Sequence, residues 1–158
     1  MKLTAWISAI CLLGISPLAA ASLTKTSDSN WLTGADEKTR AERLEHYLGG
    51  FSSAMQDTGL RYAHVKQAIA DGNWDLAQYH WGKIATAIEN GLMKRPARRA
   101  NAEAIFLNRA WEPLAAALKE KNGESIAKAF QQARQACMAC HVAEKVPFMN
   151  DQPLFRTP

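Results

Sequence analysis

The chain has 158 residues, of which 47% are hydrophobic and 22% are charged, which is enough for one domain with its own core. Its formal charge of +4 is small for a nucleic-acid-binding protein. Three cysteines are too few for the disulfide framework of a small extracellular scaffold.

The first 21 residues predict a secretory signal peptide that is removed from the mature protein. Lys2 gives a positive start, residues 7–15 are apolar, and Ala19 and Ala21 lie at the minus-three and minus-one positions of a cleavage site. A retained membrane anchor is the alternative, but the apolar run is short for a bilayer span. Cleavage removes one lysine and one cysteine, leaving 137 residues with a charge of +3, and it predicts a periplasmic protein.

Residues 22–35 are polar, rich in serine and threonine, and predict a flexible leader. From Asp36 an apolar stripe with alternating steps of four and three predicts one long helix that ends at Asp71-Gly72. The stripe keeps its phase through Gly49-Gly50, so a weak point or a close-packing site is expected there rather than a break. Its members are Leu44, Leu48, Phe51, Met55, Thr58, Tyr62, Val65 and Ile69.

Two further helices follow. Asn73 is placed to cap the second helix, and Asn90-Gly91 ends it. The third helix follows the basic residues around Pro96 and is expected to kink near Pro113. The predicted inner faces comprise Ala77, Trp81, Ile84 and Ile88 in the second helix, and Ala104, Leu107, Trp111, Leu114 and Leu118 in the third.

A fourth helix is predicted from about Glu124 to Val146, where Pro147 stops it. Its inner face carries Ile126, Phe130, Ala133 and Cys137. No segment shows the period-two alternation of a strand. Four helices joined by short loops predict an all-α fold, an antiparallel four-helix bundle over residues 36–146, followed by a tail over residues 147–158.

The string Cys137-Met138-Ala139-Cys140-His141 is the attachment motif of c-type haem. On a helix the two cysteines lie about one turn apart on one face, so both sulfurs can bond the vinyl groups on one edge of the porphyrin, and His141 points at the iron. A thioredoxin-like redox pair and half of a zinc site are the alternatives. No βαβ pattern surrounds the motif, and no second cysteine or histidine pair has zinc-ligand spacing. The sequence therefore predicts one covalent haem c near the carboxy end of the last helix.

With this motif and these helices, the chain resembles the class II c-type cytochromes, the cytochrome c prime group and its low-spin relatives, over residues 36–145. The stretch Ala127-Lys128-Ala129-Phe130 before the motif adds to the resemblance. Class I cytochromes carry the motif near the amino terminus and a methionine ligand far downstream, whereas only 17 residues follow His141 here. The resemblance implies a protein that carries single electrons between periplasmic or membrane-bound redox proteins. A homodimer is a further expectation, because class II proteins often pair through their first two helices.

The resemblance also implies roles for two more residues. Lys145 matches a position that is commonly basic and lies near the haem edge, whereas Glu144 replaces an aromatic residue of the family. Met55 matches the first-helix residue that faces the iron. A methionine there is the sixth ligand in low-spin forms, although a methionine on an apolar stripe is also ordinary core filler. The alternative function is that of the five-coordinate forms, which bind nitric oxide or carbon monoxide.

Met149 is a weaker candidate for the sixth ligand, because it closely follows the proximal ligand His141 and would have to loop round the haem edge to reach the other face. Three histidines that lie off the apolar stripes are also weaker candidates, namely His46, His64 and His80. The basic group Lys94, Arg95, Arg98 and Arg99 is interpreted either as a solvated loop or as a site for the haem propionates or an acidic partner. No nucleophile with its base, no phosphate loop and no paired-carboxylate site is found, so no enzymatic activity is expected.

Overall fold

The computed structural model describes residues 30–156, and every regular element in that range is helical. The predicted all-α class is therefore confirmed, while the predicted signal peptide and most of the leader lie outside the described residues. No helix in the described range has the length and apolarity needed to cross a bilayer. The α-helices are α1 (Glu37–Leu48), α2 (Phe51–Ala70), α3 (Trp74–Lys94), α4 (Arg99–Ala102), α5 (Glu112–Glu120), α6 (Gly123–Ala143) and α7 (Pro153–Arg156). Two 3₁₀ turns (Pro96–Arg98 and Pro147–Asn150) and a π-helical stretch (Glu103–Trp111) complete the order.

One hydrophobic core is built by α2, α3, α6 and the continuous helical stretch of residues 99–120 that contains α4 and α5. Helix α3 packs against α2 and α5, and α6 packs against α5 and the π-helical stretch. The indole nitrogen of Trp81 donates to the carbonyl of Trp111 at 2.9 Å, so its buried N–H group is satisfied. The largest fully buried side chains are Val65, Trp81, Ile84, Leu92, Leu114, Leu118 and Ile126.

The prediction of a single long first helix from Asp36 to Asp71 is wrong, because the structure has two helices in this range. The chain breaks at Gly49-Gly50, where Gly49 ends α1 with a φ of +65°, a conformation that glycine adopts without steric cost. The Lys94 ammonium donates to the carbonyl of Leu48 at 2.7 Å and so satisfies a group that the break leaves unpaired. Leu44 and Leu48 continue the apolar stripe in the sequence, yet they are exposed, and α1 has no buried residue.

The second helix begins as predicted but does not end at Asn90-Gly91. The Asn73 side chain accepts a hydrogen bond from the backbone N–H of Leu76 at 3.1 Å, so the predicted cap is confirmed. Helix α3 continues to Lys94, and Gly91 is buried where α3 meets α2. A Cβ atom at Gly91 would lie 2.8 Å from the Cβ of Ala54 and 3.0 Å from a ring carbon of Phe51. This glycine permits close helix packing and is not a terminator.

The Gly91→Ala variant should therefore lose roughly 1–3 kcal/mol of unfolding free energy, since the added methyl overpacks the contact with α2. The matched control is Gly82→Ala in the same helix, where nothing lies within 4 Å of an added Cβ. That change should stabilise the protein by roughly 0.5–1 kcal/mol, the usual gain of alanine over glycine inside a helix. Urea unfolding measures both, and similar stabilisation by the two variants would contradict the tight contact at Gly91.

The inner face predicted for the third helix is wrong at its first member, whereas Leu107 and Trp111 pack against the core as predicted. Ala104 is exposed, and the buried side chains of residues 99–120 follow one another in steps of four: Ala102, Phe106, Ala110, Leu114 and Leu118. In an α-helix of 3.6 residues per turn, side chains spaced four apart move gradually around the helix axis. The π-helical stretch has more residues per turn, so side chains at this spacing stay on one side. The irregularity expected near Pro113 lies just before it, where the π-helical stretch passes into α5.

Candidate functional site

Helix α6 presents both motif cysteines as free, half-buried thiols, and Cys137 packs against the core. Burial raises the pKa of Cys137 to about 12, and the neighbouring Cys140 thiol adds to this effect. Burial also raises the pKa of Cys140, as does Glu144, while Arg98 acts in the opposite direction. Thioredoxin-like chemistry requires a thiol with a lowered pKa. The arrangement therefore disfavours a redox dithiol.

The zinc alternative finds no further ligands in the described part of the chain. Within residues 30–156, no group of three or more His, Cys, Asp and Glu side chains is arranged to hold a metal ion. A structural zinc site needs four such ligands, so the two thiols have no partners of that kind in this range.

His141 has one ring nitrogen engaged. Its Nδ1 lies 2.8 Å from Oδ1 of Asn150, and Nδ2 of Asn150 donates to the backbone carbonyl of Met138 at 3.1 Å. Because a carbonyl only accepts, the amide NH₂ must face Met138, and Oδ1 then accepts a hydrogen bond from the ring N–H. The neutral imidazole thus carries its hydrogen on Nδ1 and its lone pair on Nε2, which is the form that binds a metal.

Aromatic rings connect His141 to α2. The ring of Phe155 meets the imidazole edge-on with centroids 5.7 Å apart, and it lies 5.8 Å from the ring of Tyr62. Tyr62 in turn stacks on Phe130 of α6 at 5.0 Å. Leu154 lies beside Gly59 of α2, so α7 packs against α2 as well as against the motif. This apolar surrounding keeps water away from one side of His141.

The side chain of Arg134 lies one turn before Cys137 and has an unusual hydrogen-bonding state. One terminal nitrogen of the guanidinium donates to the carbonyl of Phe155, but the buried Nε has no hydrogen-bond partner in the described part of the chain. Burial raises the pKa of Tyr62, with a further contribution from Cys137 and an opposing one from Arg134. These three side chains therefore share one neighbourhood between α2 and α6.

Met55 and Lys145 occupy different positions relative to the core. Met55 is half-buried on α2 and packs against the core, so its predicted inner-face placement is confirmed. Its role as an iron ligand stays a prediction.

Lys145 is exposed at a φ of +62°, and the backbone N–H of Val146 donates to the carbonyl of His141 at 2.9 Å. This hydrogen bond closes α6 at Ala143, three residues before the predicted end, and the haem-edge role of Lys145 is likewise untested.

The four basic residues near Pro96 all contact other parts of the chain. Lys94 caps α1, Arg95 lies 3.9 Å from Glu45, and Arg99 pairs with Glu89 and Glu103. Arg98 pairs with Glu144, whose second oxygen accepts from Asn101 at 2.8 Å. These contacts favour a structural role for the group, and they show that Glu144 ties the end of α6 to the start of residues 99–120.

Three of the four weaker ligand candidates are exposed, and His80 is half-buried like Met55. Met149 lies in the 3₁₀ turn Pro147–Asn150 and is exposed, as is His46 on α1. The rings of His64 and His80 lie 4.7 Å apart across α2 and α3. Burial, and then the charges of His64 and Arg61, lower the pKa of His80. No structural observation raises these residues above Met55 as candidates.

Comparisons with family models, with curated proteins and with solved structures give no match, so the function is inferred from the residues of the site. Sequence reasoning missed three of them: Asn150, Phe155 and Arg134. The first two belong to a short tail without periodicity, and Arg134 lies on a helix where nothing in the sequence marks an unpaired nitrogen.

Proposed function

We propose that the protein is an exported monohaem c-type cytochrome that carries single electrons between periplasmic or membrane-bound redox proteins. The observation behind this proposal is the geometry of the motif. Two free, half-buried thiols lie about one turn apart on α6, followed directly by a histidine whose Nδ1 is bonded to Asn150. Cys137 and Cys140 would hold haem c through thioether bonds, and His141 would bind its iron. The haem supplies a one-electron iron couple.

The chemistry around the motif fits a haem. Cys137 lies against the apolar core, and a low-dielectric surrounding is one of the means by which a protein sets a haem potential. The unpartnered Nε of Arg134 needs an acceptor, because a buried N–H without one costs about 1–3 kcal/mol. Arg134 lies one turn before Cys137, and a guanidinium is the kind of group that pairs with a haem propionate.

The helices support a bundle as the frame of this site. Four helical stretches share the core, namely α2, α3, residues 99–120 and α6. We assign them as the antiparallel four-helix bundle of a class II cytochrome, with the haem near the carboxy end of its last helix and α1 as an addition outside the core. In this assignment Met55 lies on the first helix of the bundle, as the resemblance requires for a sixth ligand.

The work of this chain in electron transfer is to hold and orient the haem and to exclude water from it. The motif thiols would anchor the group and His141 would present Nε2, while the ring of Phe155, in contact with Tyr62, supplies apolar surface beside the imidazole. A thioether ligand from Met55 would favour the ferrous state and raise the potential. No step in this function requires a general base or a nucleophile.

Intact-mass spectrometry of protein exported by cells competent in cytochrome maturation tests the proposal. The expected product is one polypeptide that begins near Ser22 and is heavier by one haem, with the added mass surviving acid extraction. An apoprotein mass from such cells would overturn the proposed function. A haem-bearing chain that retains residues 1–21 would contradict only the predicted cleavage.

A further inference from the structure

The chain after α6 folds back onto the motif. Lys145 adopts a left-handed conformation, which reverses the chain direction at the end of α6. Pro147 then begins the 3₁₀ turn Pro147–Asn150, and the turn brings Asn150 to His141, nine residues earlier in the sequence. Asn150 is half-buried in this position.

The returning segment, residues 147–156, is anchored beyond the turn. Phe155 is buried, its ring contacts His141 and Tyr62, and its carbonyl accepts from the guanidinium of Arg134. Leu154 packs beside Gly59 of α2. Asn150 is therefore held between the reversal after α6 and a buried aromatic anchor, and its side chain is presented to the motif from an ordered segment.

The amide of Asn150 bridges two residues of the motif. Nδ2 donates to the carbonyl of Met138, which fixes which way the amide faces, and Oδ1 then accepts from Nδ1 of His141. We propose that Asn150 is a positioning residue for the iron ligand. It fixes the tautomer and ring orientation of His141 and thereby tunes the reduction potential of the haem. This inference rests on the proposed function.

The expected direction follows from the basicity of the ligand. A hydrogen bond from Nδ1 to an acceptor increases the electron density that Nε2 gives to a metal. More electron density stabilises the ferric state and lowers the potential. A carboxylate acceptor at position 150 should therefore lower the potential below that of the unmodified protein, and an apolar side chain should raise it.

Redox titration of the holoprotein with Asn150→Leu and Asn150→Asp tests this order. We expect each variant to shift the ferric-to-ferrous equilibrium by about tenfold, equivalent to about 59 mV for a one-electron couple, in opposite directions. The matched control is Gln152→Ala, because Gln152 bonds to Met149 within the same segment. Its potential should equal that of the unmodified protein.

The two variants also separate positioning from simple structural support. Both lose the bond to Met138, but only Asn150→Asp keeps an acceptor for His141. Shifts in the same direction, or unmoved potentials on a protein that carries haem, would overturn the role of Asn150 and leave the proposed function intact. Absence of haem from the unmodified protein would overturn both. Should Asn150→Leu fail to fold, a lowered potential in Asn150→Asp supports the role, and an unmoved one refutes it.

Discussion

Replacing both motif cysteines by alanine should abolish acid-stable haem in the exported protein, since the two thioether sulfurs are the only covalent anchors that the site offers. Alanine is preferable to serine because Cys137 lies against the core, and burying an unpaired hydroxyl there would cost roughly 1–3 kcal/mol for reasons unrelated to haem. Either single replacement should leave one thioether and a lower yield of attached haem. Intact mass after acid extraction measures all three variants.

The matched control is Ala139→Ser, which changes an exposed spacer between the two thiols and leaves their spacing intact. It should load haem like the unmodified protein. Acid-stable haem on the double variant would show that attachment does not use the motif. The only other cysteine, Cys11, lies in the predicted signal peptide, so such a result would also call the predicted cleavage into question.

The sequence predicted those parts of the fold that depend on local periodicity and capping. The predicted inner faces of the second and fourth helices match the buried residues from Ala77 to Ile88 and from Ile126 to Ala133, because both are regular α-helices with an apolar side. The cap at Asn73 was likewise predictable, since it places a side-chain acceptor at a helix start. The Cys137–His141 string was found from its residues alone, and its role in haem attachment stays a prediction.

The errors lie where the backbone departs from an ideal helix. The apolar stripe does not reveal the break at Gly49-Gly50, because the spacing of the apolar residues on either side stays the same whether or not the helix is interrupted there. The pair Asn90-Gly91 is typical of a helix end. In the structure, however, Gly91 lies inside α3, and its lack of a side chain lets α3 pack closely against Ala54 and Phe51 of α2. The π-helical stretch changes the number of residues per turn, so a pattern read at 3.6 residues wrongly included Ala104 and missed the buried Phe106 and Ala110.

The candidate site could be predicted only as far as the two cysteines and the histidine of its motif. The bond between Asn150 and His141 depends on a left-handed Lys145, a residue type that gives no signal for that conformation. The packing of Phe155 on His141 and Tyr62 joins parts of the chain that are far apart in sequence. Contacts of this kind are set by the assembled fold, and no local pattern encodes them.

The Met55→Ala variant should convert a low-spin haem to a high-spin one. In the proposed function Met55 would bind the iron, so without its sulfur carbon monoxide should bind the ferrous protein readily, and the weak long-wavelength band of methionine-ligated ferric haem should disappear. Met55 is half-buried against the core, so the alanine variant also loses packing. The Met55→Leu variant preserves most of the volume and removes the sulfur, and it should give the same spectral change at a cost below about 1.5 kcal/mol.

Met149→Ala is the matched control for the loss of a methionine, because Met149 is exposed in the 3₁₀ turn that follows α6. Its absorption spectrum should equal that of the unmodified protein. A Met55→Leu protein that stays low-spin, together with a Met149→Ala protein that turns high-spin, would reassign the ligand to the proximal segment. An unmodified protein that is already high-spin and binds carbon monoxide would instead favour the five-coordinate, gas-binding function, since the half-buried sulfur of Met55 would then serve only to fill the core.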